Sequence, residues 1–185
     1  MNRSRTLRRL ASAVILLAGL GAVSAFGQTF AATGTTTLSV SVGAEASIAI
    51  NTTTSSLATS GGLFADYTGT TNFTYKVRTT QSTGSGSIVL QITSDFNGTG
   101  GPKVASPPSS GDALTYTCSV ASSGTGCSSA QTASTTATTS VATFGADAHS
   151  AKAGDAGSVS WTLTNDPVYK TGSYTATATF TISAA

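Results

Sequence analysis

The stretch YTATATFTI, residues 174–182, alternates without a break. Tyr174, Ala176, Ala178, Phe180 and Ile182 fall on one side, and Thr175, Thr177, Thr179 and Thr181 on the other. Successive side chains of a strand point to opposite faces, so the pattern predicts a strand with one buried face and one hydroxyl-rich face in water.

The same plan recurs upstream. TTTLSVSV, residues 35–42, places Leu38, Val40 and Val42 on one face, and Gly43 then allows a bend before Ser47-Ile48-Ala49-Ile50. NFTYKVR, residues 72–78, turns Phe73, Tyr75 and Val77 inward, and SIVLQIT, residues 87–93, does the same with Ile88, Leu90 and Ile92. Leu114, Tyr116 and Cys118 resume the alternation, Val141 to Phe144 gives a weaker strand, and SVSWTLT, residues 158–164, points Val159, Trp161 and Leu163 inward. Between them, Asp95 to Gly111 carries Asn97-Gly98, Gly100-Gly101-Pro102 and Pro107-Pro108, which excludes a central strand. Ser128 to Ser140, where QTASTTATTS has little to bury, reads as locally stalk-like. Eight or nine strands, no amphipathic helix and frequent turns predict an all-β fold, an antiparallel immunoglobulin-like or pilin-like β-sandwich. Trp161 is expected to anchor its core.

The first residues read as an address. Arg3, Arg5, Arg8 and Arg9 precede an apolar run from Leu10 to about Val23, followed by the small residues Val23-Ser24-Ala25. That is the plan of a secretory signal peptide over residues 1–25, with cleavage as late as Ala32 as the alternative. An apolar run of about 14 residues is shorter than the roughly 20 that span a bilayer, so no transmembrane anchor is expected in the mature chain. Residues 33–185 are expected to form a single sandwich domain, with 33–42 as a donor or edge strand.

Four of the nine basic residues lie in the first nine positions. Beyond them Lys76, Arg78, Lys103, Lys152 and Lys170 face seven carboxylates, and a slightly acidic chain without a basic patch is not a nucleic-acid binder. Only 9% of the chain is charged, against roughly 25% in ordinary soluble domains. Its surface is kept wet by hydroxyls instead.

Cys118 and Cys127 are the only cysteines, and in an exported chain they predict a disulfide closing the loop SVASSGTG. Two cysteines with no nearby histidine cannot supply the usual four zinc ligands. His149, the single histidine, lies near Asp147, but no nucleophile-elbow motif accompanies it, and a solvated loop histidine is the simpler reading. Asp95-Phe96-Asn97-Gly98 has the spacing that opens a calcium loop, yet the remaining ligands and the closing Glu are missing, so a turn is expected. No catalytic residue, metal site or cofactor is therefore expected, and the chain is not read as an enzyme.

At Gly172-Ser173-Tyr174, followed by the alternating TATATFTI, the chain resembles secreted bacterial pilin-type sandwiches, in particular the spore coat protein U family, and LSVSVGAEASIAI resembles the early part of the same group. Trp161-Thr162-Leu163 followed by the last strand also resembles WxL cell-wall-binding domains, although the place of their second motif reads Phe180-Thr181-Ile182 here. The pilin-like resemblance implies a secreted extracellular or cell-surface structural protein, a filament, pilus or coat subunit that self-associates by strand pairing. Leu38, Val40 and Val42 on the first strand, with Tyr174, Ala176, Ala178, Phe180 and Ile182 on the last, are the expected assembly residues. The alternative is a module that contacts cell wall or glycan, which would call for an exposed Trp161.

Overall fold

The computed structural model describes residues 33–59 and 61–185; the signal-peptide segment 1–25 and the alternative cleavage positions up to Ala32 lie outside them. Every strand among the described residues lies within the compact unit 40–185. Among the described residues there is no helix. The strands are β1 (Glu45–Ile50), β2 (Ala58–Thr59), β3 (Tyr67–Arg78), β4 (Gly86–Ser94), β5 (Thr115–Val120), β6 (Thr125–Gly126), β7 (Gln131–Thr132), β8 (Thr139–Phe144), β9 (Asp155–Leu163) and β10 (Thr177–Ala184).

All pairings are antiparallel. One sheet runs β1-β3-β9-β5-β7, with β2 also on β3, and the other runs β10-β4-β8-β6. Each long strand has one apolar face, and burying two such faces against each other gives an antiparallel β-sandwich. Phe73, Tyr75 and Val77 of β3, Val159, Trp161 and Leu163 of β9, and Ile88, Leu90 and Ile92 of β4 are all buried. The Tyr75 and Phe144 rings meet between the sheets with centroids 5.4 Å apart. The Tyr116 hydroxyl, on β5, lies 2.7 Å from Thr139 Oγ1 and 2.9 Å from the Ser140 carbonyl, both on β8, so a hydrogen bond crosses the core and satisfies a buried polar group.

Gly157 of β9 pairs with Phe73 of β3 and leaves room for its ring. A Cβ there would stand 2.3 Å from Phe73 Cε2, and that ring is held against Tyr75 and Phe180. Gly157→Ala is accordingly expected to cost about 1–3 kcal/mol by overpacking, read as a lower thermal midpoint with an unchanged circular dichroism spectrum.

Three expectations are corrected. Residues 33–42 form no strand in the single chain, so they are not an edge strand of their own sandwich, which begins at Glu45 instead. The reason is a matter of length: Glu45 pairs with Arg78, the last residue of β3, so the chain before Glu45 has run past the end of its ladder partner. The Ser/Thr tract from Ser128 to Ser140 is packed from Gln131 onward rather than stalk-like. Gln131–Thr132 pair with β5, Ala133 is buried and donates to the Leu114 carbonyl, and the Ile92 amide donates to Ser134, so the tract crosses from one sheet to the other. The final strand starts at Thr177 rather than Tyr174, because β4 ends at Ser94. The preceding Thr175 instead exchanges hydrogen bonds with Asn97, while the Tyr174 ring lies over Gly98 and Gly101.

The open edge as candidate functional site

Among the described residues β1 hydrogen-bonds only to β3, and β10 only to β4, so each is the edge of its sheet. The two edges lie next to each other across the sandwich. No ladder joins them. On β1, Ala46, Ile48 and Ile50 sit opposite Val77, Tyr75 and Phe73. On β10, Ala178, Phe180 and Ile182 sit opposite Ile92, Leu90 and Ile88. The inner partners are buried, but the edge residues, with Ala184, are only half-buried while packing on the core. The core therefore continues to this side of the molecule and is left partly uncovered there. The Phe73 and Phe180 rings, 5.7 Å apart, bridge the two sheets along it.

The edge carries almost none of the devices that discourage strand addition. Charges, proline or a bulge normally blunt an edge. β10 has no charged residue and no proline, and its one irregularity, between Thr177 and Ala178, lies at its first pair. On β1 the only charge, Glu45, is at the end of the strand and is paired with Arg78 at 3.1 Å. Beyond Ile50 the open side widens into a cleft of about 1130 Å³ whose lining includes Ile92, Phe96, Leu114, Trp161, Ala178 and Phe180. Leu63 and Phe64 are exposed on its lining, and Phe64 holds a left-handed φ of 58°.

Leu38, Val40 and Val42 are 92%, 87% and 63% exposed. Three apolar side chains two residues apart, all in solvent, are what a strand looks like when its apolar face has no partner. The expected assembly residues thus fall into two groups: 38–42 lies outside the sheets, while Ala178, Phe180 and Ile182 line the open edge. Tyr174 and Ala176 lie in the approach to β10 and line the cleft. Ala46, Ile48 and Ile50 belong to the edge as well. Their alternation in EASIAI was visible in the sequence, but nothing local marks them as edge rather than interior.

Trp161 is 6% exposed, its Nε1–H donates to Thr71 Oγ1 at 2.9 Å, and its ring meets Tyr116 at 5.3 Å. Cys118 and Cys127 form a disulfide with Cα atoms 5.2 Å apart, tying the end of β5 to the residue after β6. A loop this short constrains the unfolded chain by about 2.5 kcal/mol. Replacing both cysteines with alanine is expected to lower stability by that order, with the native dichroism retained.

The remaining chemical candidates do not converge. His149 Nδ1 is 3.8 Å from Asp147 Oδ1, and both side chains are largely exposed. The Asp95 carboxylate is occupied by backbone amides, accepting from Phe96 and Val104 through Oδ1 and from Ala105 through Oδ2. Burial raises its pKa, but these amides and Lys103 together outweigh that and hold it below the usual value. A depressed folded pKa adds stability above the unfolded value near 3.9, and that stability is lost as pH falls through the folded pKa. Asp95→Asn should remove about 1 kcal/mol at neutral pH and flatten the acid side of the stability profile, measured by urea unfolding from neutral pH down to the unfolded value and below.

Among the described residues no helix is long and apolar enough to cross a membrane. Fold and site together define an antiparallel β-sandwich with two partly uncovered edge strands, β1 and β10, on one side. Compared with known proteins, the chain matches no family model, no curated protein and no solved structure.

Proposed function

We propose that this is a secreted structural protein, a subunit of an extracellular filament, pilus or surface coat, whose copies join by β-strand pairing. The segment 33–42 of one copy would lie along the open side of the next, between β1 and β10. The observation that carries this reading is the match between two incomplete parts. Edge residues such as Ile48, Ile50, Phe180 and Ile182 are half-covered, and Leu38, Val40 and Val42 stand uncovered at strand spacing. Backbone hydrogen bonds to an open edge would supply affinity, and the alternate side chains would set register. The disulfide and the signal-like residues 1–25 support an oxidising, exported setting.

The alternative, a module that contacts cell wall or glycan, has less to rest on: the one tryptophan is in the core and offers no exposed ring for stacking. The assembly reading is tested by negative-stain microscopy and light scattering of the secreted protein beside a variant lacking residues 33–42. Filaments or oligomers are expected from the first and monomers from the second. A strictly monomeric wild type, or a shortened variant that still assembles, would overturn it.

A further inference from the structure

Beyond the last β5–β9 pair, Thr115 with Thr162, the two strands run on into loops that stay side by side, since Thr164 Oγ1 donates to the Gly111 carbonyl at 3.3 Å. Asp112 lies at this junction. It is 3% exposed, and its Oδ2 has no hydrogen-bond partner. The Tyr169 hydroxyl is likewise buried and stands against the Asp112 carboxylate. Asp166 completes the group: its Oδ1 accepts the Val168 amide at 2.8 Å, and the Ser109 hydroxyl and Asp112 side chain stand against its carboxylate. The backbone fixes the arrangement, through Asp112 N–H to the Ser109 carbonyl and Tyr169 N–H to the Asp166 carbonyl.

Neither carboxylate has an ion-pair partner among the described residues. Lys103 donates to the Phe96 carbonyl, and the Lys170 chain lies along Gly100. A buried carboxylate beside a second one, with no cation, is costly. A positive charge or a shared proton relieves it. The donors are all oxygen, which suits a hard cation that accepts carboxylate, hydroxyl and water together and does not suit zinc.

We propose that Asp112, Asp166, the Ser109 hydroxyl and the Tyr169 hydroxyl form a calcium site that pins loop 165–170 to loop 109–112. With only two carboxylates the site belongs with weak extracellular modules, dissociation constants of about 10⁻⁴–10⁻³ M. It goes beyond the assembly reading and stands without it.

The test uses the full mature protein freed of cations by chelator, followed by thermal melts with calcium up to about 10 mM and by terbium luminescence excited through the tyrosines. A saturable rise in midpoint is expected, with terbium emission that calcium displaces. Asp112→Asn and Asp166→Asn should both abolish these responses, and Asp95→Asn should keep them. Asp166 is partly exposed, so its variant remains informative should Asp112→Asn fail to fold. Three results would overturn the proposal: no saturable response in the wild type, a response that survives in Asp166→Asn, or a gain in stability on acidification with no calcium effect, which would mean that the two carboxyls share a proton.

Discussion

Placing aspartate at Leu38, Val40 and Val42 together is expected to yield a folded monomer that no longer assembles. Each of these side chains is in solvent in the single chain, so the change should move its melting midpoint little, within about 0.5 kcal/mol per substitution. In the assembly the same side chains would be covered by Ala46, Ile48 and Ile50 on one side and by Ala178, Phe180 and Ile182 on the other. Full burial of a Leu or Val side chain is worth about 1.5–3 kcal/mol, before the costs of association are subtracted. Losing even about 4 kcal/mol of the total weakens pairing roughly a thousandfold, and three buried unpaired carboxylates would weaken it further. Sedimentation velocity across a concentration series reads the result. The same substitutions would destabilise the monomer by several kcal/mol if the segment were part of its own core.

The second large effect is expected at Trp161. It is the largest side chain of the core, packed on Tyr116 and hydrogen-bonded through Nε1 to Thr71. Truncation to alanine removes its buried area and opens a cavity beside the cleft, at a cost of about 3–5 kcal/mol. For a chain of this size that is a fall of roughly 10 °C or more in midpoint. Trp161→Phe keeps most of the area. Thr71 Oγ1 then retains Ser55 at 2.6 Å as a partner, so its cost should be clearly smaller. A loss below about 1 kcal/mol for the alanine variant would mean that the ring is not anchored in the core.

The sandwich was legible because its long strands are amphipathic over many residues. The nine inward side chains of β3, β4 and β9 could be read from period-two spacing alone, and all are buried. β8 was weaker for a physical reason: the register slips between Ile88 and Val89, so Val141 and Ala142 are buried in succession and the alternation breaks. Which segment opens the chain's own sandwich was not legible, because TTTLSVSV and EASIAI carry the same pattern. Which of them pairs depends on where β3 ends, and that is set far away in the chain. Asp112 gave no local signal either. In sequence it is one aspartate in a loop of prolines and glycines, and only the junction of two loops shows that its Oδ2 is buried without a partner.

The measurement that tests strand exchange most directly is hydrogen exchange on the dilute monomer and on the assembled material. Strand exchange predicts that amides of 33–42 exchange freely in the monomer and become protected on assembly, together with the outward amides of β1 and β10. Amides of 33–42 that still exchange freely in the assembled state, or that are already protected in the monomer, would contradict it.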